Sequence, residues 1–293
     1  MIAFRWHGVQ QRLPHLFEKL DNLTNTAGRK PANACNSGLD LFLQQLAKAS
    51  QRVLLLDYDG TIAPFSAQRN RAFPYPAIPE LLECIMSTCR TRLVLISGRA
   101  ARDIPPLLGL NPHPEIRGSY GLERLEANGR YVLDHLSDAT QQVLAVADTR
   151  LQSEGLGDVI EIKPGAVAVH WRGLKPAEMN EAKTAAFRIL SPLGLAHHLL
   201  LTEFDGGLEM RQPTCSKGDV VNTVLSEHAA NVAVAYLGDD VTDEDAFRAL
   251  NGRGLSVLVR PKYRFTAAQM WIHPPEELVQ FLSDWIHACG GEL

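Results

Sequence analysis

Residues Val53-Leu54-Leu55-Leu56 are apolar without alternation, and the chain passes at once into Asp57-Tyr58-Asp59-Gly60-Thr61. A short unbroken apolar run marks a strand covered on both faces, the habit of a parallel sheet packed between helices. Such sheets collect ligands beyond the carboxyl ends of their strands. Here two carboxylates, one residue apart, stand at that end. Asp and Gly suit the turn that must come next. An ordinary acidic turn would account for the residues singly, but like charges so close repel, and a bound cation would give the pair a purpose.

Three further segments carry the same signature. Leu93-Val94-Leu95-Ile96 ends in Ser97-Gly98-Arg99, where a hydroxyl and free backbone N–H groups can cradle phosphate. Ser-Gly is also a common turn pair. Cys215-Ser216-Lys217-Gly218-Asp219 opens a helix continued by Val220, Val221, Val224 and Leu225. Lys217 either neutralises phosphate charge there or is a solvated first-turn lysine. The apolar run Val232–Leu237 leads into Gly238-Asp239-Asp240-Val241-Thr242-Asp243-Glu244-Asp245. Acids enriched over residues 239–245 suit a helix N-terminus, but Asp239 abutting a buried strand end favours a metal ligand. Four such signals, in this order, are hard to obtain by chance.

The elements around them define the class. Helix and strand alternate from Leu39 to Gly118, and again after Lys217: helix 217–228, strand 232–237, helix 243–250, strand 255–259 and a last helix near 275–288. This is α/β alternation around a Rossmann-like parallel sheet. Leu41, Leu43, Leu46 and Ala47 are spaced for the helix that leads into the Val53 strand. Between the two halves the rhythm changes. A helix over 135–152, strands 159–163 and 166–171 around Pro164-Gly165, a helix over 177–190, and strands 199–202 and 208–211 make an αββαββ insertion. It is large enough for its own small core. The expected division is an N-terminal extension over 1–38, a sheet domain formed by 39–128 and 212–293, and an inserted α+β cap over 129–211. The Pro-rich loop carrying Pro64, Pro74, Pro76 and Pro79 is placed to line the site entrance.

Composition excludes several classes. The 293 residues are 45% hydrophobic, ample for a core. The net charge of −4 gives no reason to expect nucleic acid as a partner. No apolar run approaches the ~20 residues of a membrane helix. Met1–Trp6 leads into no sustained apolar region, so a signal peptide is not expected. Five cysteines without a C-x-x-C pair read as reduced thiols of a cytoplasmic protein. No oligomeric state is encoded legibly, and a monomer is the simpler expectation.

Taken together, the motifs resemble haloacid-dehalogenase-type phosphatases, and more closely the trehalose-6-phosphate phosphatases. The resemblance rests on Leu55–Pro64, Ile96–Arg99, Gly118-Ser119-Tyr120-Gly121-Leu122-Glu123, Gly207–Arg211 and Gly238–Phe247, with Glu161-Ile162-Lys163 and Val169-His170-Trp171-Arg172 similar to the sugar-recognition strands. Tyr120 departs from it, since many relatives carry His there. The resemblance implies a cap inserted between the Ser97 and Lys217 motifs, and Mg²⁺ as cofactor, held by Asp57, Asp59 (through its backbone carbonyl) and Asp239. Asp57 would be the nucleophile and Asp59 the general acid and base. Ser97 and Lys217 would bind the phosphoryl oxygens. Asp243 would hold Lys217 or a metal-bound water, with Asp240 a weaker neighbour. Gly98, Arg99 and Gly118 would lie on the substrate, although Arg99 reads equally as an exposed helix-start arginine. Alternation alone turns Glu161, Lys163 and Glu209 to solvent; the resemblance turns them onto sugar hydroxyls, with His170 and Arg172 as weaker candidates. The implied substrate is a phosphorylated disaccharide. Another sugar phosphate, a phosphoacceptor module and an inactive binding domain are the alternatives.

Overall fold

The computed structural model describes residues 36–291 apart from 67, 205, 214, 229 and 230. The expectation of an extension over 1–38 falls almost wholly outside the described residues. The structure is built on an eight-stranded sheet of order β12-β11-β10-β1-β2-β3-β4-β5 and a four-stranded sheet of order β6-β7-β9-β8.

In the large sheet, β1 (Gln51–Leu56) lies between β2 (Thr91–Ile96) and β10 (Val232–Gly238), parallel to both. Parallel pairing continues to β3 (Glu115–Gly118) on one side and to β11 (Leu255–Val259) and β12 (Met270–Ile272) on the other. The unbroken apolar runs are explained by what covers each face. Val53, Leu55, Val94, Ile96, Val234 and Tyr236 meet α6 (Lys217–Ser226) and α7 (Glu244–Leu250). Leu54, Leu56, Leu93, Leu95, Ala235 and Leu237 meet the opposite layer, made by α1 (Asn36–Lys48), α2 (Ile78–Thr88), the short α3 (Ile104–Leu108) and α8 (Glu276–Ala288). With no face left to solvent, polar residues are displaced to the strand ends. In α1 the buried positions are Phe42 and Leu46, while Leu41 is exposed, contrary to the spacing read from sequence. From β1 the chain works outward through β2 and β3, then returns to the other flank at β10. The order reverses beside β1, so a crevice opens at the ends of β1 and β10.

Three short strands escape the sequence reading. Besides β12, an antiparallel hairpin of β4 (Glu123–Leu125) and β5 (Tyr131–Leu133) extends the large sheet beyond β3. The expected start of the insertion at 129 therefore falls inside this hairpin, and β5 belongs to the large sheet. Strands of three residues carry too little pattern to be seen.

The second sheet is antiparallel: β6 (Ile160–Lys163), β7 (Ala166–His170), β9 (Gly207–Arg211) and β8 (Leu200–Phe204). One of its faces packs Val167, Val169, Leu208 and Met210 against α4 (Asp138–Ser153) and α5 (Pro176–His197). Register then brings Glu161, Ala168 and Glu209 into one row across the opposite face. That face looks onto the carboxyl ends of β1 and β2.

Candidate active site

The turn after β1 is fastened to its neighbour, because the Asp57 N–H donates to the Leu237 carbonyl at 2.9 Å. Gly60 has φ +83°, and a Cβ there would lie 2.3 Å from Asp239 Oδ2. Glycine thus admits both the left-handed turn and the approach of the next carboxylate. Asp57 is buried and accepts from the Lys217 ammonium at 2.6 Å and from the Thr61 hydroxyl at 3.1 Å. Lys217 opens α6, whose N-terminus is capped by Ser216 accepting from the Asp219 N–H. Its ammonium is buried and donates also to Asp243, at 2.7 Å.

Asp243 is fully enclosed. Its carboxylate accepts from Lys217, from the Tyr236 hydroxyl and from the N–H groups of Asp239 and Asp240. Of the two roles anticipated for it, holding Lys217 is the one seen. Asp240 caps the turn at 241–243, accepting from the Val241 N–H at 2.8 Å, and its backbone carbonyl accepts from Arg264.

Asp57, Asp239 and Asp243 present carboxylate oxygens within 4.8 Å of one another. Burial, with Asp243 and Asp59 nearby, pushes Asp57 up to about 7 against the pull of Lys217. Burial and the charge of Asp57 push Asp239 well above the carboxylate range. Lys217 moves further into its protonated form, since Asp243 and Asp57 outweigh its burial. Asp57 and Lys217 thus pull opposite ways on a single 2.6 Å contact. The proton belongs on the lysine, which is held by two carboxylates, and the upward pressure on Asp57 comes first from its burial and then from the neighbouring carboxylates. Three buried carboxylates face one ammonium, and Asp239 Oδ2 has no hydrogen-bond partner among the described residues. A hard divalent cation fits this donor set.

Asp59 behaves differently. Arg99 grips both of its oxygens, at 2.6 Å each, and donates to the Arg69 carbonyl at 2.9 Å. Arg99 is buried, which removes the reading of it as an exposed helix-start residue. Ser97 is buried at the end of β2 and lines the same pocket. Gly118 does not. A Cβ there would meet the Ala101 backbone nitrogen at 2.3 Å, so this glycine serves close packing, and its expected contact with substrate is withdrawn. The next two residues matter more. Ser119 and Tyr120 both take positive φ, and the Tyr120 N–H donates to the Ser97 carbonyl at 2.9 Å. The tyrosine ring is thereby held in the pocket beside Gly98, with the Arg211 guanidinium 4.6 Å from its centroid.

The second sheet closes the other side. Glu161, Lys163 and Glu209 are all buried, whereas Ile162 between the first two is 55% exposed. The strand is inverted relative to the usual rule: charge faces in and the aliphatic residue faces out. Lys163 lies 2.5 Å from Glu209 and donates to the Gly98 carbonyl at 2.6 Å, bridging the two sheets. Glu161 pairs with Arg69 and lies 2.8 Å from His170 Nε2. Burial opposes ionisation of Glu161, yet Lys163, His170 and Arg69 together hold it down at about 2. His170 is therefore no plain surface residue. Arg172 sits over the Phe65 ring at 4.2 Å, and Phe204 meets the edge of His170 at 5.3 Å.

One pocket thus gathers Asp57, Asp59, Ser97, Gly98, Arg99, Lys217 and Asp239 with Glu161, Lys163, His170, Arg172 and Glu209. Phe65, Ser66, Arg69, Phe204 and Thr242 line it as well, and sequence reasoning did not find them. The Pro-rich loop was correctly placed at the entrance, but nothing in its composition marks Phe65 or Arg69 as the residues that turn inward.

This fold, with its crevice of acids, is that of the haloacid dehalogenase-like hydrolases. A Bacteroides thetaiotaomicron haloacid dehalogenase-like hydrolase superposes with a TM-score of 0.56 at 14% identity, covering 80% of this chain and 98% of that one. The C-terminal domain of Candida albicans trehalose-6-phosphate phosphatase superposes with a TM-score of 0.69 at 20% identity, covering 90% of this chain and 100% of that one. Residues 55–264 match the trehalose-phosphatase family model, and the chain belongs to that family. A Mycobacterium leprae trehalose-phosphate phosphatase is 27% identical over 278 residues, 88% of this chain and 63% of that protein. The chain thus spans less than two thirds of the length of that curated relative.

Proposed function

We propose that this chain hydrolyses trehalose 6-phosphate to trehalose and inorganic phosphate, the closing step of trehalose synthesis. The observation that carries the reading is the shared pocket: Lys163, from the sugar-facing row, donates to Gly98 of the phosphate-facing loop. This bridge supports a site that receives the phosphoryl group and the sugar together.

Phosphate monoesters hydrolyse very slowly unaided, and dividing the reaction lowers each barrier. The Asp57 carboxylate forms a bond to phosphorus while the bond to the sugar oxygen breaks. Asp59 gives its proton to that leaving oxygen, and then takes one from the water that attacks the aspartyl-phosphate and releases phosphate. Asp59 is gripped by Arg99 on both oxygens, so delivering a proton requires one oxygen to turn from Arg99 toward the sugar. Lys217 and Ser97 hold the transferring oxygens where charge develops. Asp57, Asp239 and the Asp59 backbone carbonyl would hold Mg²⁺, which supplies positive charge among these carboxylates and the phosphoryl oxygens. Glu161, Lys163 and Glu209 offer charged acceptors and a donor suited to a polyhydroxylated ligand. In this reading the segment between β5 and α6 is the cap.

The test is phosphate release from trehalose 6-phosphate against sucrose 6-phosphate, a glucosylglycerate phosphate and p-nitrophenyl phosphate, with and without Mg²⁺. Selective, Mg²⁺-dependent turnover of trehalose 6-phosphate is expected. Equal rates across the panel would remove the disaccharide assignment.

A further inference from the structure

Asp239 follows β10 directly, and its Oδ2 is buried with no hydrogen-bond partner among the described residues. The direction of this oxygen therefore follows from the backbone that carries it. Two sets of hydrogen bonds hold that backbone. Asp243 accepts from the Asp239 and Asp240 N–H groups at 3.1 and 2.9 Å. The carbonyls are taken by two arginines from the segment after β11. The Arg264 guanidinium donates to the Asp239 carbonyl at 3.2 Å and to the Asp240 carbonyl at 2.6 Å. Arg260 donates to the same Asp239 carbonyl at 3.3 Å. The peptide joining Asp239 to Asp240 is thus held at both its N–H and its C=O, and it cannot turn without breaking bonds at each.

The arginines are themselves fixed. Arg264 pairs with Glu244 at the start of α7, and Glu244 is buried and accepts from the Ala267 N–H at 2.8 Å. The Arg260 N–H donates to the Ile272 carbonyl at 3.0 Å, and Trp271 Nε1 donates to the Arg260 carbonyl at 2.8 Å, so β12 steadies that end of the segment. A planar guanidinium with a rigid fork of donors can take two neighbouring carbonyls, which the point charge of a lysine does not do in the same geometry. Neither arginine lines the pocket, and none of the chemistry assigned there uses them.

We propose that Arg264, with Arg260 in support, is a positioning residue for divalent-cation binding. It holds the Asp239–Asp240 turn by its carbonyls, so that the Asp239 carboxylate is presented to the ion in a fixed direction. The proposal rests on the reading of Asp57 and Asp239 as holders of Mg²⁺. Groups that orient metal ligands typically set about 10- to 100-fold in affinity. The loss on removing Arg264 falls on the ion and spares the substrate, because the guanidinium touches only the turn and its supports.

The experiment titrates Mg²⁺ by calorimetry into the full chain and into Arg264→Ala, Arg264→Lys and Arg248→Ala. Arg248 is an exposed arginine paired with Asp245 on α7, and it controls for the loss of one nearby charge. The Mg²⁺ dissociation constant should rise roughly 10- to 100-fold in Arg264→Ala, nearly as far in Arg264→Lys, and stay unchanged in Arg248→Ala. In p-nitrophenyl phosphate hydrolysis the Mg²⁺ concentration giving half the maximal rate should rise in step. KM for the ester at saturating Mg²⁺ should not move, a split that general damage to the fold would not produce. Should Arg264→Ala fail to fold, Arg264→Lys, which keeps the charge, gives the decision. An unaltered Mg²⁺ constant in Arg264→Lys, with the unmutated chain binding the ion, overturns the proposal and leaves the metal centre standing. Absence of Mg²⁺ binding by the unmutated chain overturns both.

Discussion

Strands β1 and β6 obey opposite rules. In β1 every residue from Val53 to Leu56 is fully buried by apolar neighbours on both faces, and charge is kept outside that run, at Arg52 before it and Asp57 after it. In β6 the charges lie within the strand, and it is Glu161 and Lys163 that are buried while Ile162 faces out. The first arrangement separates folding from chemistry: the strand supplies the core, and the residues after it are left for reaction. The second makes the same four residues serve both. Its charged side chains are tolerable because they neutralise one another, through Lys163 with Glu209 and Arg69 with Glu161, and because a polar ligand completes them in the proposed reading.

The contrast is open to attack at both ends, and the largest effect belongs to the β1 end. Asp57→Asn should lower turnover at least roughly a thousandfold with little loss of stability, since it removes one of three crowded carboxylates. Substantial turnover in a steady-state assay would break the nucleophile assignment. Lys217→Met should remove activity and also destabilise the fold by about 3–5 kcal/mol, because it strips Asp57 and Asp243 of their shared cation; denaturant titration measures it. If stability were unchanged, the excess-charge account of this site would be wrong. Chelation by EDTA should abolish turnover. Added Mg²⁺ should raise the unfolding midpoint of the unmutated chain but not that of Asp239→Asn, and equal shifts in both would move the ion elsewhere.

The β6 end predicts smaller and more selective losses. Glu209→Gln should raise KM for trehalose 6-phosphate roughly 10- to 100-fold while leaving p-nitrophenyl phosphate turnover unchanged. An equal loss on both substrates would show that this row does not read the sugar. The smallest effect is in pH. The Glu161 carboxyl sits at about 2 in the folded chain against an ordinary 4.5, so its contribution is fully present above pH 4.5 and disappears as pH falls toward 2. Glu161→Gln should flatten that part of the acid-stability curve, and an unchanged curve would mean that its ion pairs contribute nothing.

The same division governs how much was legible in the sequence. Asp57, Ser97 and Asp239 each come directly after an apolar run, so their placement at strand ends was legible, and Lys217 was legible as the start of a helix. The short strands β4, β5 and β12 were not legible, because three residues carry no usable period. Gly118 shows how a correct placement can mislead about purpose: it ends a strand near the site, yet its missing Cβ makes room for Ala101. Arg99 was left between two readings because its partner, Asp59, is distant in sequence.

The positions of the buried strands along the chain, the identity of the acids beyond them and the family likeness were determined by sequence alone, since each depends on residues that are neighbours along the chain. Which way Glu161, Lys163 and Glu209 face was decided only in three dimensions. Alternation assigns residues to two faces but cannot say which face meets water. That choice came from α4 and α5 covering one side of the small sheet, and from Lys163 reaching Gly98 on the other.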